Sequence, residues 1–183
     1  MATRYRFGDS EYAHFITFAV VNWIDALSRP LYKDIIIESL KYCINEKGLK
    51  LHAWVIMSNH VHLIASADAG IKLHDIVRDH KKYTSKQIEQ TIRENTLESR
   101  KEWMLWMFKR AGEKNSNNKN FQFWQQDNHP VELYGNEMLQ QKIIYIHNNP
   151  VRAGLVYETW HYKYSSAMDY YTNINGLLPL GHL

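Results

Sequence analysis

Two histidines stand one residue apart in the apolar run SNHVHLIAS, residues 58–66. Side chains alternate along a strand, so His60 and His62 share one face while Val61 takes the other. Two imidazoles on one face can reach a single ion, and neutral imidazole ligates borderline metals such as Mn, Zn, Fe or Ni. The same pattern also describes two unrelated polar residues on a solvated strand face. With 10 His in 183 residues, an HxH pair by chance is unremarkable. His52, on the preceding strand, is at most a neighbour of the pair.

A second group lies in QQKIIYIHNNPVRAGLV, residues 140–156. On a helix, Leu139, Ile143 and Ile146 form an apolar stripe and Tyr145 falls nearly opposite. Its neighbours at i−4, i−3 and i+4 are Gln141, Lys142 and Asn149. A phenol in that company either presents its hydroxyl or packs as a surface ring under the following tail. Tyr83, in HKKYTSK, is a rival beside Lys81, Lys82 and Lys86. It stands at i+7 from Ile76, on the flank of an apolar stripe, which predicts a half-buried ring. Asp127, His129 and Glu132 are further groups able to act on a leaving group or a metal.

These residues need elements to hold them. AHFITFAVV (13–21) is rich in β-branched and aromatic residues and predicts a strand. Pro30 suits a first helical turn, and Leu31, Ile35, Ile36 and Leu40 keep helical spacing up to Gly48, a good terminator. LKLHAWVIM (49–57) and HVHLIAS (60–66) predict an antiparallel pair joined by a turn at Ser58-Asn59. Leu73, Ile76, Val77, Ile88 and Ile92 mark a long amphipathic helix with a basic outer face. Residues 95–120 read as an insertion. It begins as a helix with Trp103 and Trp106, the latter expected in the core. It ends in an Asn- and Lys-rich mobile stretch. FQFWQQ (121–126) is a possible fourth strand. Asn136 can cap a helix that Pro150 should end. The tail, about 157–183, is aromatic and irregular. This order predicts one α+β domain over 1–183, a ferredoxin-like sandwich with an antiparallel sheet and helices on one face.

Composition narrows the class. The net charge of +3 points weakly to nucleic acid. Six Trp and twelve Tyr can fill a core or stack on unpaired bases. Cys43 is the only cysteine, so no disulfide within the chain and no CxxC zinc site can form. No basic-then-apolar leader opens the sequence, and no apolar run approaches the roughly 18 residues that span a bilayer. A soluble cytoplasmic protein without membrane contact is expected.

The His–apolar–His pair preceded by AWVIMSN, followed downstream by a helix reading YIHNNPVRAGLV, carries a resemblance. Over about residues 12–170 the chain resembles the single-tyrosine HUH transposases of bacterial insertion sequences. Of the two groups, it more closely resembles their REP-associated tyrosine transposase relatives. The resemblance implies an enzyme that cuts single-stranded DNA, usually beside a hairpin. Tyr145 would attack a phosphodiester to leave a 5′-phosphotyrosine and a free 3′-OH, while His60 and His62 hold a divalent metal, Mg or Mn. A phenol is a weak nucleophile near pH 7, and a divalent ion can offset the charge that develops on the phosphate. Many insertion-sequence relatives complete the metal site with a glutamine one turn after the tyrosine. Here Asn149 stands there, with a shorter amide whose carbonyl can still ligate. His147 and Asn148 rank lower, because the helix turns His147 away.

Beside such a site, Arg78, Lys81, Lys82 and Lys86 on one helix, with Lys142 and Arg152, become candidate phosphate contacts. Lys109, Arg110, Lys114 and Lys119 form a second basic run around the insertion. Insertion-sequence members of the family are usually dimers, whereas REP-associated relatives can act as monomers. Two other functions stay open: a domesticated hairpin-binding protein without chemistry, and a metal-dependent hydrolase using the histidines alone.

Overall fold

The strand His14–Ala19 (β1) alternates side chains that fill both faces of the sheet. A computed structural model describes residues 7–115 and 120–181. The expected mobile turn at 116–119, with Lys119, lies outside the described residues. Helix α1 (Pro30–Lys47) starts with Pro30 in its first turn. It stops at Gly48, whose φ of 70° lets its N–H reach back to the Cys43 carbonyl, a geometry that suits a residue without Cβ. Strands β2 (Leu49–Ile56) and β3 (His60–Ala67) follow as a hairpin, closed by the Met57 N–H donating to the His60 carbonyl at 2.8 Å. Helix α2 (Leu73–Glu94) buries Leu73, Ile76, Val77, His80, Thr84, Ile88 and Ile92. Then come α3 (Lys101–Glu113), the short strand β4 (Val131–Glu132), α4 (Gly135–Arg152) and α5 (Ala167–Tyr171).

The sheet order is β2-β3-β1-β4, with antiparallel neighbours throughout. Opposite His62 stand Thr17 on one side and Val55 on the other. A bulge between Leu51 and Ala53 makes His52 the extra residue. One face of the sheet carries Ile16, Phe18, Trp54 and Leu63 and packs on the first two helices, where the Phe18 ring meets His80 at 5.8 Å. The other face carries Phe15, Thr17, Val55, His60, His62 and Ile64. Helix α4 lies over it, with the Tyr145 ring 5.9 Å from Phe15. Helices therefore meet both faces, because apolar groups on each side must be covered.

Four local expectations differ from the structure. Residues 121–126 form no strand, only an isolated bridge from Trp124 to Val20. Phe123 and Trp124 turn into the core, and the Gln125 carbonyl accepts from the Lys81 ammonium instead of a ladder partner. Asn136 caps nothing, since α4 begins one residue earlier, after Tyr134, on Gly135 with φ 77°. Pro150 does not end α4, which runs on to Arg152. A proline removes one helical N–H, and in the last turn the Leu155 and Gly154 N–H groups still close on Pro150 and Val151 carbonyls. Trp106 is half-exposed, because α3 turns Met104 and Phe108 inward instead.

The tail covers the outer edge of β2. The Ile56 N–H donates to the Tyr164 carbonyl at 2.9 Å, and the Ser166 N–H to the Trp54 carbonyl at 3.0 Å. An open edge would invite strand pairing with another chain. Among the described residues no helix is long and apolar enough to cross a membrane.

Candidate active site

The sheet register puts the two imidazoles side by side, ring centres 4.8 Å apart. His62 is 6 % exposed. Phe15 stacks on it at 5.2 Å and the Tyr145 ring meets its edge at 5.4 Å. Burial, with the neighbouring His60 and Lys142 adding to it, lowers the His62 pKa to about 3. The ring is therefore neutral near pH 7, the form that ligates metals. Burial also lowers the His60 pKa, opposed by Asn149 and Asp25.

The hydrogen bonds around His60 assign its tautomer. Asn59 donates from Nδ2 to the Trp23 carbonyl at 3.3 Å and to Asp25 Oδ1 at 3.0 Å. Its Oδ1 therefore faces His60 Nδ1, 2.7 Å away, and can only accept. Nδ1 carries the hydrogen, and Nε2 keeps a lone pair. Asn149 donates from Nδ2 to the Tyr145 carbonyl at 2.8 Å, and its side chain also acts on His60, raising that ring's pKa against burial. His62 Nδ1 lies 2.7 Å from Thr17 Oγ1. When Nδ1 donates to that hydroxyl, Nε2 of His62 also presents a lone pair. A second partner of this kind fixes ring orientation in metal sites. Among the described residues no group of three His, Cys, Asp or Glu side chains gathers. Two imidazoles and the Asn149 amide oxygen are the donors here that could hold a divalent ion.

Tyr145 stands beside these donors in the same chain, 39 % exposed. Lys142 Nζ lies 4.8 Å above the Phe15 ring and 5.7 Å from the Tyr145 ring, and the Arg152 guanidinium is 6.0 Å from that ring. His147, on the same helix, is fully buried and bonded to Ser166 Oγ at 2.9 Å, so it points away as expected. His52 is tied to Ser66 and the Gly181 carbonyl, away from the pair.

The expected phosphate track along α2 does not assemble at this site. Arg78 pairs with Asp75 and Asp79. It lines a groove of about 1170 Å³ between α1 and α2, across the sheet from the histidines. The Lys81 ammonium is committed to the Gln125 carbonyl and Asn128 Oδ1, and burial lowers its pKa to about 8. Lys82 and Lys86 are exposed on the same helix. Tyr83 lines that groove and is 54 % exposed, more than its place beside the stripe predicts, because the residue turns off the buried face. Asp127 acts electrostatically on Lys81, and Glu132 lies 3.8 Å from His14, so neither joins the pair.

Sequence reading missed four contributors. Thr17 is recognisable only once the β1–β3 register is known. Asn59 reads as a turn residue, and its orienting role needs the Asp25 contact. Phe15 and Trp23 read as strand and loop aromatics.

The family model described as transposase, IS200-like, matches residues 12–107, a span that holds both histidines and ends before Tyr145. The solved structure of a REP-associated tyrosine transposase bound to a REP hairpin shares the fold, with a TM-score of 0.62 at 18% identity, covering 100% of this chain and 93% of that one. A candidate transposase from Deinococcus radiodurans R1 gives a TM-score of 0.45 at 16% identity, over 81% of this chain and 95% of that one. No curated protein sequence matches the chain.

Proposed function

Because the chain belongs to the IS200-like transposase family, we propose that it nicks and rejoins single-stranded DNA at hairpin-flanked sites through a 5′-phosphotyrosine link. The observation that carries this reading is the Tyr145 ring set against His62 within one chain, with Lys142 and Arg152 beside it. The Tyr145 oxygen forms a bond to phosphorus while the bond from phosphorus to the 3′ oxygen breaks. The phenolic proton leaves to solvent, and the departing 3′ oxygen takes up a proton. A 3′-OH from the same strand or another reverses the step, so phosphodiester energy is kept without ATP. Water would discard it.

Lys142 and Arg152 hold the scissile phosphate against the phenol. Thr17 and Asn59 set the imidazole rings, and Phe15 shields the buried side of His62 from water. His60, His62 and Asn149 would hold Mg or Mn, which supplies Lewis-acid polarisation of a phosphate oxygen. That Tyr145 and both histidines lie together in one chain supports a monomer that completes its own site. The free, buried Cys43 fits a cytoplasmic setting.

The test is a hairpin oligonucleotide with single-stranded flanks, incubated with protein and Mn. A denaturant-resistant protein–DNA adduct is expected, and Tyr145→Phe should abolish it while leaving hairpin binding intact. An adduct that persists in Tyr145→Phe, or cleavage with no adduct, overturns the assignment.

A further inference from the structure

Trp23 is 56 % exposed, and its ring stands edge-on to His60 with centres 5.8 Å apart. Rings thus touch in sequence from Trp23 to His60, to His62 and to Tyr145. The backbone that presents Trp23 is unusual. Asn22 and Trp23 both take left-handed angles, φ 54° and 55°, which side chains with a Cβ rarely adopt. The surrounding contacts hold this shape. The Trp23 N–H donates to the Val20 carbonyl at 3.0 Å and the Ile24 N–H to the Val21 carbonyl at 3.3 Å. The Trp23 carbonyl accepts from Asn59, the residue that orients His60. Ser58 and Asn59 both donate to Asp25 on the same loop, at 2.6 and 3.0 Å. Val21 and Ile24, flanking the tryptophan, are buried anchors. The fold therefore spends a strained, rigid turn to keep a large apolar ring in solvent. The core takes other tryptophans, Trp54 and Trp124.

We propose that Trp23 is a stacking platform for an unpaired nucleobase of the DNA strand entering the site. The inference rests on the DNA reading given above and adds a base-binding position to it. A single strand offers what this corner lacks, flat π-faces to cover an exposed indole and phosphates to meet Lys142 and Arg152. Stacking is tolerant of sequence because every base has a π-face. The rigid turn means that little freedom is lost on binding. Trp23 thereby fixes where the strand lies relative to the phenol.

The experiment uses the full chain and a hairpin whose single-stranded flank carries 2-aminopurine, placed in turn at each position around the nick. Chelator is present, so binding is read without cleavage. At one flank position quenching is expected in wild type and mostly retained in Trp23→Phe. It should be lost in Trp23→Ala and Trp23→Leu, with binding of the flanked hairpin about 5- to 150-fold weaker. The bare hairpin should bind all four proteins alike. Quenching and affinity that Trp23→Leu leaves at the Trp23→Phe level overturn the proposal, as does an equal loss on the bare hairpin. A parallel reaction with Mn separates the two readings. Position-specific quenching with no adduct would sink the phosphotyrosine chemistry and keep the stacking site, whereas an adduct without quenching would do the reverse.

Discussion

Thr17→Val probes the least visible part of the site. Valine keeps the shape and suits a strand, so packing should survive. What disappears is the 2.7 Å partner of His62 Nδ1. Two costs follow. A buried ring nitrogen left without a partner costs about 1–3 kcal/mol of stability. The ring also loses the acceptor that favours hydrogen on Nδ1, and with it the bias that leaves Nε2 free for a cation. Removing such an orienting partner typically costs about 10- to 100-fold in metal affinity, or roughly 1.4–2.7 kcal/mol. The assay is the Mn concentration that half-saturates adduct formation, alongside urea unfolding of the metal-free protein. Thr17→Val should raise that concentration at least tenfold, and Thr17→Ser, which keeps the hydroxyl, should restore most of it. A Thr17→Val protein that unfolds more easily yet shows the wild-type Mn dependence would refute the orienting role.

Two further outcomes are expected. Burial lowers the pKa of His80 to about 3 and of His147 to about 4. Both side chains are buried, at 3 % and 0 % exposure, so the unfolded chain binds protons that these rings refuse once pH falls below about 6.5. The stability is complete above that pH and declines toward the folded values, by about 2 kcal/mol for each ring at pH 5. Urea midpoints should therefore fall from pH 7 to pH 5, and because the buried His62 adds a similar share, His147→Gln should remove at most about a third of the drop. Equal midpoints at the two pH values would contradict this. Separately, Lys142→Ala should reduce the salt slope of single-strand binding by about 0.7, the share of one phosphate contact. Arg78→Ala, which breaks pairs with Asp75 and Asp79 across the sheet, should leave that slope unchanged. Equal effects of the two variants would move the DNA path to α2.

The periodicities carry the parts of this site that were legible in the sequence. Alternation alone put His60 and His62 on one strand face, and helical spacing turned Tyr145 out of the Ile143–Ile146 stripe. Neither could say that α4 crosses the face holding the imidazoles. That depends on which apolar side chains remain after the first two helices have covered Phe18 and Trp54. Thr17 and Asn59 were silent for the same reason. A cross-strand partner is set by register, and an orienting amide by the Asp25 contact that fixes which end it presents. Lys81 misled in the other direction. Its place in a basic run predicts a phosphate contact, yet the Gln125 and Asn128 oxygens occupy its ammonium. Trp23 shows the limit most clearly, since an exposed indole beside His60 requires a left-handed tryptophan directly after a left-handed Asn22.

The most direct measurement is to trap the adduct on a hairpin oligonucleotide, digest it and map the modified residue by mass spectrometry. The nucleotide should be found through its 5′-phosphate on the peptide that contains Tyr145. Attachment at Tyr83, or at any residue remote from His60 and His62, would contradict the convergence of phenol and imidazoles on which the chemistry depends.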